Sequence, residues 1–311
     1  MNIKTRYRLV TRSDFDGLVC AVLLKELDLI DDIKFVHPKD VQDGQVQIFS
    51  KDITTNLPYV ESAFLCIDHH DSEVQRVGEK RENHIIDAAA PSAARVVYNH
   101  FGGKEKFPRV APDLMEAVDK ADAARFTLEE VLHPQGWALL NFVMDPRTGL
   151  GRFKNFTISN YQLMMDCVEL CRNRTIEQIL RHPDIKERVD LYEEQRELFK
   201  EQLQHCSRVY GSTVILDLRN EEPIHCGNRF VIYALYPECS VSVHVMWGLK
   251  KRNTVFAAGK SIFNRSAKVN LGALMLELGG GGHAAAATCQ VANEDSDAVL
   301  HGLIEKIRAG G

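Results

Sequence analysis

Between residues 7 and 87, short apolar runs alternate with helical stretches, and run after run closes on an acid or an imidazole. Tyr7–Thr11 leads into Arg12-Ser13-Asp14-Phe15-Asp16-Gly17. Ile33–His37 ends in histidine, Val46–Ser50 passes through Lys51 into Asp52, Ala63–Ile67 delivers Asp68-His69-His70, and Ile85-Ile86 leads to Asp87. Strands alternating with helices such as Ser92–His100 predict a mostly parallel sheet with helices on its faces. In such open α/β sheets, ligands bind outside the carboxyl ends of the strands. One Asp-His pair at a strand end is ordinary turn chemistry. Repeated acids and imidazoles along one side of one sheet point instead to metal-ligand chemistry.

Asp14 and Asp16 occupy a strand-to-helix turn, where Gly17 allows a tight backbone path. Two carboxylates one residue apart can point the same way from an extended segment, which suits two neighbouring divalent cations. Helix capping by Asp16 explains one acid and not both. Leu18–Leu27 is apolar almost all round, the pattern of a buried helix.

From Ala111 to about Arg208 the pattern is helical. Asp113–Ala124 carries Asp119 and Asp122 at helical spacing, and Ile185–Cys206 reads as a long connecting helix with a solvated, charged face. Strands are then expected at Thr213–Leu218, Phe230–Tyr236, Val241–Trp247 and Thr254–Ala258. A helix over Val269–Leu278, the run Gly279–Gly282 before His283, a strand at Ala287–Val291 and a helix over Ser296–Arg308 complete the chain. The expected fold is α/β. A mostly parallel-sheet domain spans 1–185, a helical connector 186–209, and a smaller α/β domain 210–311.

A chain of 311 residues accommodates two such domains. The formal net charge of −5 argues against a general duplex-DNA binder while leaving room for a small anionic substrate at a metal-loaded or locally basic cleft. No apolar run approaches the length of a membrane span, and the first residues do not read as a signal peptide. The eight cysteines include no CxxC pair and read as reduced thiols of a cytoplasmic protein.

Asp14-Phe15-Asp16-Gly17, Asp52, Asp68-His69-His70, Asp122 and Gly279–His283 stand in a specific order. With that order the chain resembles the DHH phosphoesterases carrying a C-terminal DHHA1 domain, a group of nanoRNases, dinucleotide phosphodiesterases and exopolyphosphatase-like proteins. Asp87-Ala88-Ala89-Ala90-Pro91-Ser92 before a helix and Arg265-Ser266 upstream of the glycine run support the likeness, which covers nearly the whole chain. Asp122-Ala123-Ala124-Arg125-Phe126 is a degraded form of a family element, which leaves Asp119 as a substitute for Asp122. The resemblance implies a centre of two Mn²⁺ ions. Asp14 and Asp52 would hold one ion, and Asp16, Asp52, His69 and Asp122 the other, with Asp52 bridging. Asp68 would orient an imidazole and His70 would face the scissile phosphate. Where many members carry a histidine, this chain has Val10, so one ion lacks an imidazole ligand; where some relatives place another, it has Arg12, a candidate phosphate contact.

The glycines Gly280, Gly281 and Gly282, with His283, Arg265, Ser266 and Lys260, are expected to bind a phosphate remote from the metals across a cleft between domains. That arrangement favours linear dinucleotides or very short oligonucleotides as substrates. An exopolyphosphatase or other phosphoanhydride hydrolase is a competing enzyme reading; a catalytically weak nucleotide-binding regulator is a third, from another class. Neither base preference nor oligomeric state follows from the sequence, and a homodimer is one option.

Overall fold

A computed structural model describes residues 5–153 and 155–310. The alternating runs of the N-terminal half form five strands, β1 (Tyr7–Arg12), β2 (Ile30–Val36), β3 (Asp52–Thr55), β4 (Leu65–Asp68) and β5 (His84–Ile86), all parallel in the order β2-β1-β3-β4-β5. The chain leaves β1 toward β2 on one side and returns to β3 on the other. A topological switch point therefore lies between the carboxyl ends of β1 and β3, where crossovers diverge and leave a crevice.

The helix Phe15–Glu26 is buried from Phe15 through Leu24, which explains its apolar circumference. It lies between β1 and the helices Ala93–His100, Pro112–Asp122 and Asn160–Asn173, at the centre of the unit's main core. The opposite sheet face is closed by Val10, Val36, Val41, Ile48, Leu57, Ala63 and Cys66.

That second core accounts for a departure from expectation. Val46–Ser50 is not a strand. Its alternating apolar residues supply Ile48 to the cover, and the segment then turns, with Asp52 Oδ2 accepting the Phe49 N–H at 2.7 Å. β3 begins at Asp52 instead of ending before it.

A second sheet combines β6 (Ser207–Tyr210), β7 (Thr213–Asp217), β8 (Val241–Trp247), β9 (Thr254–Lys260), β10 (Gly281–His283) and β11 (Ala286–Val291) in the order β10-β11-β9-β8-β7-β6. Only the β7–β8 pair is parallel. Val243, Val245, Phe256, Ala258 and Cys289 face the helices Leu271–Leu276 and Ser296–Ala309. Phe230–Tyr236, expected as a strand, contains the short helix Val231–Leu235. Tyr233 of that helix reaches the sheet through Ser242 Oγ and the Gly259 carbonyl, both at 2.8 Å.

One unit comprises the chain up to Phe126 with Pro134–Pro146 and Leu150–Leu191; the other comprises Thr127–His133, Arg147–Gly149 and the chain from Tyr192 onward. The helix Pro183–Cys206 carries the chain from the first of these units into the second. All eight cysteines are free. Among the described residues, no helix is long and apolar enough to cross a membrane.

Candidate metal centre

The carboxyl ends of β1, β3 and β4 converge at the switch point. Asp14, just beyond β1, caps the helix Phe15–Glu26, its Oδ1 accepting the Gly17 N–H at 3.0 Å. The capping residue is therefore Asp14 and not Asp16. Gly17 is required by close approach, since a Cβ there would lie 2.0 Å from the Arg12 carbonyl oxygen.

Asp16, freed from capping, is buried. Its two oxygens accept the N–H groups of Ala93 and Ala94 at 2.9 and 2.8 Å. These are buried donors at a helix start that lack an intrahelical acceptor, where a carboxylate is favoured. Burial, followed by the neighbouring Asp122, nevertheless pushes the Asp16 carboxyl up.

His69 follows β4. Its Nδ1 lies 3.2 Å from the Ala90 carbonyl, and a carbonyl only accepts, so Nδ1 carries the proton and Nε2 is the ligating nitrogen. Nε2 is buried without a well-aligned hydrogen bond, 3.0 Å from Asp122 Oδ2 and 3.9 Å from Asp16 Oδ2. This is the orientation in which a backbone carbonyl fixes a metal-ligating imidazole. The Asp87–Ser92 segment therefore has two uses: it brings the Ala90 carbonyl to His69 and, through the Ser92 cap, the helix N-terminus to Asp16.

Ligand atoms of Asp16, His69 and Asp122 all lie within 4.8 Å of one another, as do those of Asp68, His69 and His70. Buried Asp68 Oδ2 and Asn56 Oδ1 have no hydrogen-bond partner. Orphaned acceptors, one imidazole nitrogen and several carboxylates are a donor set suited to a hard divalent cation such as Mn²⁺ or Mg²⁺. Asp68 Oδ1 takes the His70 Nδ1–H at 2.8 Å, which fixes the orientation of that ring.

Burial works against a charged His69, but Asp122, then Asp16 and Asp68, outweigh it and raise the ring to about 9. At neutral pH a metal must displace that proton. Mn²⁺ affinity is accordingly expected to strengthen by roughly tenfold per pH unit as pH rises toward 9, measured by titrating the metal-stripped protein at pH 6.5, 7.5 and 8.5.

Three sequence expectations are corrected here. Asp52, expected to bridge two ions, is instead paired with an arginine. It opens β3 opposite Arg8 in the β1–β3 register, at the amino edge of the sheet, and pairs with Arg8 Nε and Nη2 at 2.9 and 2.6 Å. Asp119, the alternative to Asp122, is engaged elsewhere, accepting the Ser92 hydroxyl at 2.7 Å and Arg95 Nε at 2.9 Å.

The glycine run is not an open loop of backbone donors. The Gly279 and Gly280 N–H groups bond to Leu276 and Met275 carbonyls, and Gly281–His283 forms β10 against β11. A Cβ on Gly280 would lie 2.1 Å from the Thr288 carbonyl oxygen, so close packing dictates glycine there. Asp87 holds only a turn, accepting the Ala89 N–H at 3.0 Å.

Asn56 is the functional candidate that sequence reasoning missed. It directly follows β3 with φ 54°, is 1% exposed, and donates from Nδ2 to Asp14 Oδ1 at 3.2 Å. Left-handed backbone is a conformation that asparagine tolerates better than most residues, and this was the available signal. Arg12 Nε lies 2.8 Å from Asp14 Oδ2. In the second unit Arg265 and His283 are exposed, Arg265 Nε bonds to the Ile262 carbonyl, Ser266 Oγ bonds to Asn264, and Lys260 Nζ is held by the Ala267 carbonyl.

A parallel sheet whose switch point carries a carboxylate–imidazole cluster, followed by a six-stranded mixed sheet with the glycine-histidine hairpin, defines a metal-dependent phosphoesterase, and the chain belongs to the DHH/DHHA1 family. It is 60% identical to the pGpG-specific phosphodiesterase PggH of Vibrio cholerae across 98% of this chain and 100% of that one, with a TM-score of 0.84. Two distant structures share the fold alone. CDC45 of Entamoeba histolytica is 8% identical at a TM-score of 0.55, covering 98% of this chain and 96% of that one. RecJ of Thermus thermophilus in complex with Mn²⁺ is 13% identical at 0.50, covering 98% and 52%. No protein-family model matches the chain, and no curated protein does.

Proposed function

We propose that the chain is a Mn²⁺-dependent phosphodiesterase that hydrolyses linear dinucleotides, pGpG foremost, to mononucleotides. The observation that carries this reading is the buried His69 Nε2, 3.0 Å from Asp122 and 3.9 Å from Asp16, in a chain 60% identical to PggH. Asp16, His69 and Asp122 would hold the ion, with Asp68 beside them. When bound, it lowers the pKa of a water and offsets charge on the phosphoryl oxygens.

The remaining work falls to side chains. Water adds to the bridging phosphorus, the bond from phosphorus to one ribose oxygen breaks, and that oxygen takes up a proton. His70, oriented by Asp68, presents Nε2 either to a phosphoryl oxygen or to the departing oxygen. Arg265 and His283 supply recognition of the part of the substrate remote from the reacting bond. Binding there contributes to positioning the phosphate, so its loss lowers turnover as well as affinity.

The test is a product-resolved assay with Mn²⁺ over pGpG, other linear dinucleotides, cyclic dinucleotides, short RNA and polyphosphate. Linear dinucleotides are expected to yield mononucleotides fastest, and preferred release of phosphate from polyphosphate would overturn the reading. Arg265→Ala or His283→Ala is expected to lower kcat/KM for pGpG by roughly ten- to a hundredfold, the worth of one charge-assisted hydrogen bond. Hydrolysis of a nitrophenyl phosphodiester, which has no second nucleotide to hold, should be unchanged.

A further inference from the structure

We propose that the Arg12 guanidinium, held by Asp14, takes the place of one of the two cations, so that each chain binds a single divalent ion at Asp16, His69 and Asp122. The inference rests on the phosphodiesterase reading for its catalytic half alone; the ion count stands without it.

Four observations converge on the Asp14 side of the centre. Both Asp14 oxygens are engaged, Oδ2 by Arg12 Nε at 2.8 Å and Oδ1 by the Gly17 N–H at 3.0 Å and Asn56 Nδ2 at 3.2 Å. Val10, where an imidazole would be needed, is fully buried in the apolar cover of the sheet. The carboxylate expected to bridge, Asp52, is tied to Arg8 at the far edge. At the end of β3 stands the neutral amide of Asn56, which turns its N–H toward Asp14.

Two dications a few ångströms apart repel strongly, and a bridging carboxylate is what normally offsets that repulsion. Here the bridge is absent and a fixed positive charge is already paired with the acid. A guanidinium has five N–H donors in a planar fork. With Nε on Asp14, donors remain for a phosphoryl oxygen, in the manner of an arginine that stabilises charge during phosphoryl transfer.

The test titrates the metal-stripped full-length protein with Mn²⁺ alone, counting bound ions by elemental analysis and recording the electron paramagnetic resonance spectrum. One ion per chain with an isolated six-line signal is expected. Two ions per chain with a spin-coupled spectrum would overturn the proposal. Arg12→Gln should keep its single ion yet lose ~10³-fold in turnover of pGpG at saturating Mn²⁺, the lower end of what a charge-stabilising arginine contributes. Wild-type turnover in Arg12→Gln would refute the catalytic half. If the wild-type protein binds one ion but leaves every dinucleotide intact, the substrate reading fails and the ion count survives.

Discussion

His69→Ala is expected to strip the centre of metal and to lower phosphodiester hydrolysis by roughly 10³-fold or more, about 1.36 kcal/mol of barrier for each factor of ten. His69 supplies the nitrogen that lies 3.0 Å from Asp122 and 3.9 Å from Asp16, and the Ala90 carbonyl fixes the tautomer that leaves this nitrogen available. Removing the ring leaves two carboxylates facing each other with no neutral ligand between them, and one of them, Asp16, is already pushed toward its protonated form by burial. Protonation would remove a second ligand. The loss should therefore appear first as metal content per chain, measured before any assay, and then as rate on pGpG and on the nitrophenyl diester alike. A variant that keeps its metal and most of its activity would show that the ion is held elsewhere.

Asp52→Ala is expected to behave in the opposite way, sparing the metal and costing stability. The side chain is 3% exposed, pairs with both Nε and Nη2 of Arg8, and accepts the Phe49 N–H that closes the turn before β3. Truncation leaves the Arg8 guanidinium without its carboxylate and the Phe49 N–H without an acceptor. Breaking a buried pair costs about 3–5 kcal/mol. Because Arg8 is 25% exposed and can recover water, about 2–3 kcal/mol is the better figure for this site. Thermal melting should fall by several degrees while Mn²⁺ per chain holds at the wild-type value. Loss of metal in a folded Asp52→Ala protein would return Asp52 to the centre. The Arg8→Ala exchange should reproduce most of the destabilisation, and the double variant should cost less than the two single changes together.

Much of the architecture was legible because its signals are local. Apolar runs bounded by turn chemistry located β1, β4, β5, β8 and β9 to within a few residues, and the all-round apolar Leu18–Leu27 marked the central helix. Short apolar runs were misread where tertiary use differs from local pattern. Val46–Ser50 and Phe230–Tyr236 alternate or cluster like strands, yet they serve as cover for a sheet face and as a short helix packed on a sheet. Burial of apolar side chains rewards both outcomes equally, so periodicity over five to seven residues does not separate them.

The sequence alone pointed to the family, the parallel sheet, and the candidate site residues that sit next to a strand end in the chain: Asp14, Asp16, Asp68, His69 and His70. Their spacing follows from backbone geometry within a single turn. Register across strands was decided only by the tertiary structure, because one acid near a strand looks the same whichever end it occupies. β3 pairs with β1 so that Asp52 meets Arg8 and Asn56 meets Asp14, and that pairing is specified by which side chains fill the two cores. The same long-range packing brings Ala90, Ala93 and Ala94 to His69 and Asp16. These contacts are made by backbone groups, which every residue carries and no sequence motif can single out.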